Sequence, residues 1–334
     1  MVEIVIILTE TALRAALFGL MAIGLTLTYI TTKVPNFAYG SFVTVGIYTA
    51  FTLYYQRVNP YLSTPFAFVV GGAASIAMYL GILRTLSRRG SSLVSLMIAT
   101  LALDIVFVGV FGIYTDYLKY YLKIDGKAFS QLSGDFKFLG VAGLVYVAPI
   151  TLGLVTAGLY LLLIHTKFGV AMRASVENPS LARVSGINVE KTYVVAWFLA
   201  GGLAGMAGSY FTLDSGGTIF IGSALIIDIF AASVLGGLAS IYGAAIGGVM
   251  IGVSEGLLAT IGVSVLGSWV GVYQPGIPLV IMIVMLLVIP QGLTSVQWRK
   301  LPRRSSEAVR TLPRRILEGL RNIHLLNNEP KRVS

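Results

Sequence analysis

Residues 171–193 read AMRASVENPSLARVSGINVEKTY, and they lie within the 28 mixed-charge residues from His165 to Thr192. On either side stand runs without a charged side chain, Phe138–Ile164 and Tyr193–Leu213. A bilayer core about 30 Å thick is crossed by about 20 helical residues at about 1.5 Å each. Both runs reach that length, so the quoted stretch reads as a polar interruption between two membrane spans.

The rest of the chain follows the same rule. Of 334 residues, 56% are hydrophobic and 11% charged, with a mean hydropathy of +0.85, whereas soluble domains carry about 25% charged residues. Further uncharged runs are Ala15–Thr32, Val34–Gln56, Val58–Leu83, Ile229–Ser254 and Gly256–Trp298. They are too long, and too rich in Gly, Leu and Ala, for barrel strands, which alternate over about 10 residues. Backbone polar groups in lipid must then be satisfied inside helices. The expected fold is an all-α polytopic membrane protein.

The N-terminus, MVEIVIILTE, starts acidic and shows no cleavage site, so the first apolar helix is expected to stay. Zero cysteines exclude disulfides and Cys-ligated zinc or iron–sulfur clusters, and two distant histidines, His165 and His324, leave little for a metal site. No Ser-His-Asp set or supported carboxylate pair can be assembled, so no catalytic residue is expected.

Basic residues collect at Arg84, Arg88 and Arg89; at Lys167, Arg173, Arg183 and Lys191; and at ten positions from Arg299 to Arg332. The positive-inside rule assigns these segments to the cytoplasm. The tail, with ten basic and three acidic residues, is expected to orient the chain and to attract anionic lipid headgroups. It lacks the interleaved aromatics of a nucleic-acid binder. The segment 115–137, with four Lys against three Asp, is nearly balanced and reads as outside.

Spans are expected near 11–32, 35–55, 62–83, 92–114, 140–164 and 193–213, starting from an outside N-terminus. Beyond Asp214 lie an apolar piece at 225–238, a Gly-rich helix at 243–261 and a last helix at 276–292. A 14-residue piece reaches only about 21 Å. It is read as a half-helix that enters from outside and turns within the bundle, giving about eight transmembrane helices plus one re-entrant segment.

Within the opening stretch, Asn178 stands at an N-cap position, Pro179 at the first helical position and Gly186 just past the end. These stops bound a helix of about seven residues, near 10 Å long. So short a helix is unstable alone, so something must pack against it. Leu181, Val184 and Ile187, at three-residue spacing, would form an apolar edge, flanked by Ser180 and Arg183. A docking element for a cytoplasmic partner is favoured over a loop folded back on the helix ends.

The stretch TKFGVAMRASVENPSLARVSGINVEKTYVVAWFLAGGLAGMAGSYF resembles the loop and following helix of the membrane subunits of ATP-driven branched-chain amino acid importers. Gly169, Arg173, Ala174, Ala182, Gly186 and Ile187 fall on the family pattern. GLTLTYITTKVPNFAYGSFVTVGIYTAF resembles its early helix, and SVLGGLASIYGAAIGGVMIGVSEGL its late Gly-rich segment with the following Glu255. The Asn-Phe-Ala element at residues 36–38 is similar to the H-type subunit, with Tyr39 where the family often has His. The basic tail is longer than is usual in the family.

The resemblance implies an ABC importer permease fold: a transmembrane permease domain over 1–298, with a cytoplasmic coupling loop at 165–192, and a basic cytoplasmic tail over 299–334. It implies a second, M-type permease subunit, two ABC ATPase subunits and an extracytoplasmic solute-binding protein as partners, all in or at the plasma membrane. The short helix would be the coupling helix, with Arg173, Pro179, Ser180, Leu181, Ala182, Arg183, Val184, Gly186 and Ile187 contacting an ATPase. No Gly-x4-Gly-Lys-[Ser/Thr] cradle occurs, so this chain is expected to bind no cofactor, with ATP and Mg in the partner subunits.

Candidates for the solute path are two breaks in apolar helix, Asn36, Tyr39 and Gly40 early and Gly236 and Gly237 late, together with Glu255, with simple kinking as the rival reading of the breaks. Charges within apolar runs are costly and functional or paired. Glu255 is expected to make a structural or gating hydrogen bond, Asp104 and Asp228 to meet local backbone or Tyr partners, and Glu10 to pair with Arg14 at i,i+4. Gly201/Gly205, Gly243/Gly247 and Gly248/Gly252/Gly256 are spaced for close helix packing. Import of urea or a short amide stays open as an alternative cargo. So does an ion-coupled transporter acting alone, motivated by the intramembrane acids.

Overall fold

The computed structural model describes residues 2–138, 140–267, 273, 276–289 and 292–295. Its helices are α1 Val2–Thr32, α2 Tyr39–Tyr55, α3 Pro60–Met78, α4 Arg84–Arg88, α5 Leu93–Leu122, α6 Leu144–His165, α7 Lys167–Glu177, α8 Pro179–Val184, α9 Val189–Asp214, α10 Ile221–Gly236, α11 Ile241–Leu266 and α12 Gly276–Val288. A π-turn over Tyr79–Leu83 joins α3 to α4 as one 29-residue apolar rod, Pro60–Arg88. Two-residue strands β1 Ala128–Phe129, β2 Lys137–Phe138, β3 Val141–Ala142 and β4 Gly217–Thr218 form two antiparallel pairs, β1 with β4 and β2 with β3.

Among the described residues, six helices are long and apolar enough to cross a membrane, with α10 and α12 as shorter apolar helices. The chain is therefore a multi-pass helical membrane protein. Its helices sort by burial. The α1 span is 89% buried and forms the axis, whereas α5 and α6 are 11% and 17% buried and lie at the periphery.

Small residues explain how the inner helices come so close. Lipid is as apolar as the side chains, so packing and hydrogen bonds replace the hydrophobic drive. The three glycine sets each face a different neighbour. A Cβ on Gly201 or Gly205 would overlap α3 at Gly71, Ser75 or Ala67; on Gly243 or Gly247 it would overlap α10 at Gly236 or Ala232. On Gly248, Gly252 or Gly256 it would press into α1 at Gly19, Ala15 or Thr11. Gly40 against Gly222, and Gly46 against Gly205, are further contacts of backbone on backbone.

These pairs also give helix directions. Along α11 the α1 partners fall from Gly19 to Thr11, so the two run antiparallel, as do α10 and α11 through Gly236 on Gly243 and Ala232 on Gly247. Helix α10 therefore runs in the direction of α1. It ends where Thr294 Oγ1 donates to the Gly236 carbonyl at 2.9 Å. That is also the end at which Tyr160 of α6 meets Tyr242.

This corrects the expected re-entrant turn at 225–238, because the chain does not come back to the end at which α9 finished. The helix is 16 residues, not 14, and extended residues before it, including β4, add about 3.3 Å each. An outside start and a cytoplasmic tail require an odd number of crossings, so eight spans could not have joined those two expected ends.

Other boundaries shift as well. Helix α2 begins at Tyr39 rather than near 35, and α5 runs on to Leu122. The expected tail, 299–334, lies outside the described residues.

Candidate functional site

At the basic end of the bundle, local capping builds the element the sequence marked. Thr166 Oγ1 accepts the Gly169 N–H at 3.2 Å and starts α7, a helix the sequence reading missed although Thr166 is an N-cap signal. Helix α7 stops at Asn178, whose Oδ1 accepts the Leu181 N–H at 3.0 Å and opens α8, with Pro179 at its first position. Gly186, at φ +80°, closes it: the Ile187 N–H reaches the Ala182 carbonyl and the Gly186 N–H the Arg183 carbonyl, both at 3.0 Å. This is a Schellman-type stop, which needs a left-handed residue that glycine supplies without strain.

The faces of α8 divide differently from the expected apolar edge. Ala182 is the residue that packs inward, while Leu181 is 63% and Val184 86% exposed, beside exposed Ser180 and Arg183. Ile187 is half-buried and turned partly away from that edge. Arg173 donates from Nη1 to the Leu163 carbonyl, tying α7 to the last turn of α6. Tyr193 Oη donates to the Ser175 carbonyl at 3.0 Å, tying α7 to α9. The α7–α8 unit is thus fastened to the two long helices that flank it.

The residues named for the solute path sit in the interior. Tyr39 is 0% and Asn36 1% exposed; Tyr39 Oη donates to the Ala200 carbonyl at 3.2 Å, and Asn36 Oδ1 accepts the Ala38 N–H at 3.1 Å. Gly40 packs on Gly222, and Gly236 on Gly243. Gly237, at φ +103°, makes the turn into α11. The break before α2 is real: residues 33–38 are not helical.

Glu255, 6% exposed, accepts from Arg14 Nη1 at 2.9 Å. This corrects the expected Glu10–Arg14 pair; Arg14 faces the groove between α1 and α11, so its partner comes from the far end of the chain. Asp104 also departs from expectation: its two oxygens accept from Ser41 of α2 at 2.6 Å and Ser223 of α10 at 2.7 Å, not from Tyr or backbone. Two small serines in apolar helices gave no sequence signal. Asp228 is 6% exposed, and its Oδ1 has no hydrogen-bond partner among the described residues. No group of three or more His, Asp and Glu converges among the described residues in a way that could hold a metal ion.

The candidate path residues are enclosed by neighbouring helices, and the comparisons place this arrangement among transport proteins. The family model for the branched-chain amino acid transport system permease component matches residues 7–290. The chain is 46% identical over 298 residues to the probable branched-chain amino acid transport permease protein LivH of Methanocaldococcus jannaschii, covering 89% of this chain and 94% of that one. It is 26% identical over 296 residues to the high-affinity branched-chain amino acid permease LivH of Escherichia coli, with 83% and 90% covered. It is 28% identical over 267 residues to the ribose import permease RbsC of the same organism, with 77% and 78% covered. No solved structure matches it significantly. These relatives are named as transport permeases, not enzymes, and the chain belongs to the family of permease components of branched-chain amino acid transport systems.

Proposed function

We propose that this chain is the membrane-spanning H-type permease subunit of an ATP-driven importer for branched-chain or related amino acids. In this reading it works with an M-type permease, two ATPases that hold ATP and Mg, and an extracytoplasmic binding protein. The N-terminus lies outside, and the basic end carrying α8 and the tail faces the cytoplasm of a plasma membrane. The 46% identity to a LivH-type relative favours amino acids over the sugar of the ribose permease relative.

The observation that carries the reading is the outward pair Leu181 and Val184 on a helix capped at both ends and packed through Ala182. A helix of 6 residues is too short to stand alone. Its caps, and the ties of the adjoining α7 to α6 and α9, make it a rigid knob for an ATPase groove. Closure of two ATPases would drag the knob, and Arg173 and Tyr193 would pass that displacement to α6 and α9, rocking packed bundles about the path. The breaks at Asn36–Gly40 and Gly236–Gly237 are the proposed path elements.

The test is co-purification with the ATPases, and ATP-driven leucine uptake by the reconstituted complex, before and after Leu181→Asp combined with Arg183→Glu. Loss of both association and uptake is expected. Intact association with full uptake would overturn the assignment. Uptake by the chain alone under a proton or sodium gradient would replace it with the lone-transporter reading.

A further inference from the structure

A cleft of about 940 Å³ opens at the basic end between the last turn of α1, the π-turn and α4, and the loop leading from α8 into α9. Four cationic side chains line it, Lys33, Arg84, Arg88 and Arg183, against one carboxylate, Glu190. Arg84 and Arg88 both grip Glu190, Arg88 through Nη2 at 3.0 Å. That carboxylate is therefore spent. Lys33 and Arg183 have no carboxylate within ion-pair distance among the described residues. The surplus is three positive charges around one cavity.

The deeper lining is of another kind: Ile30, Leu83 and Leu96 bring apolar surface from three helices into the same cleft. The N-terminus of α9, a helix of 26 residues, also borders it at Asn188–Glu190 and adds a partial positive charge.

We infer that this cleft is a binding site for the phosphate headgroup of an anionic lipid, held by Lys33 and Arg88, with the start of its chains against Ile30 and Leu96. A basic rim over an apolar floor, where the helices leave the membrane, matches a headgroup with chains attached better than a free anion, which has no use for the floor. Basic pockets between membrane helices recognise lipid headgroups by the same chemistry. Lys33 sits at φ +57° in the turn after α1, so its backbone is held in a left-handed conformation at the mouth. The site would lock α1, α4 and α9 together at one end, whatever solute the chain carries.

The experiment uses the purified full chain in detergent, offered equal amounts of phosphatidylglycerol and phosphatidylcholine, with retained lipid counted by native mass spectrometry. Lys33→Asn, tolerant of left-handed φ, and Arg88→Gln are tested singly and together, each checked for an unchanged thermal midpoint. Wild type should retain phosphatidylglycerol preferentially. The double variant should lower that retention about thirtyfold, the scale of two basic groups near an anionic surface. Basic surfaces elsewhere are unchanged in the variants, so the wild-type-to-variant difference isolates the cleft.

Equal retention of the two lipids by wild type, or an undiminished preference in the folded double variant, would overturn the site. Displacement of phosphatidylglycerol by millimolar inorganic phosphate would overturn the lipid assignment in favour of a soluble phosphate.

Discussion

Arg14 on α1 and Glu255 on α11 meet at 2.9 Å across 241 positions of sequence, at the level where Gly252 and Gly256 let the two helices touch. The pair exists because the small residues remove the space that would otherwise separate the helices. Glu255 is nearly enclosed, with its side chain 7% exposed, while Arg14 is 32% exposed.

Breaking a buried pair from one side costs about 3–5 kcal/mol, because a charge is left in low dielectric. With Arg14 a third open, Arg14→Gln is expected at the lower end or below. The thermal midpoint of the purified chain should fall for Arg14→Gln and for Glu255→Ala, and recover in part in the exchanged pair Arg14→Glu with Glu255→Arg. Equal midpoints for wild type and Arg14→Gln would remove the structural role of the pair.

Close helix contact gives a second expectation. Gly205 has no room for a side chain against Ala67 and Gly71, whereas Gly109 of α5 has no atom within 4 Å of a built Cβ. Gly205→Val should lower stability by about 1–3 kcal/mol, the usual cost of overpacking. Gly109→Ala should leave it unchanged or slightly raised, since glycine within a helix is unfavourable. Fluorescence-detected size exclusion after heating separates the two, and similar curves would contradict the packing described for α9.

The loop after α5 should respond to acid. The Lys127 N–H and the Lys119 ammonium hold the Asp125 carboxyl below its ordinary value of 3.8. A depressed carboxyl favours the folded loop above the unfolded value and loses that contribution as pH falls through the folded one. Asp116 raises Lys127 above 10.5, so that contribution fades only in strong alkali. Hydrogen exchange at residues 119–127, corrected for intrinsic rates, should be constant from about pH 5 to 9 and rise below about pH 4. A rise centred near neutrality would be inconsistent with these pairings.

What could be read from sequence was local or compositional. Asn178, Pro179 and Gly186 bounded α8 to within one residue, because caps and stops act over four or five positions of chain. The spans were visible because lipid demands long uncharged helices. The family was visible because its short motifs recur in order along the chain.

Contacts between distant segments were not readable in this way. Arg14 turned to Glu255 rather than Glu10, and Asp104 to Ser41 and Ser223, because packing decides which helices share a face. The course of α10 was hidden because helix length was counted without the extended residues that feed it.

The amino-acid sequence on its own settled the solvent this chain lives in, the helical class and the place of the short capped helix, since each depends on neighbours within a turn or on total apolarity. Tertiary structure alone decided which face of α8 points outward, which charges meet and which way α10 runs. Those outcomes depend on the fit of surfaces that lie hundreds of residues apart, and no local pattern encodes that fit.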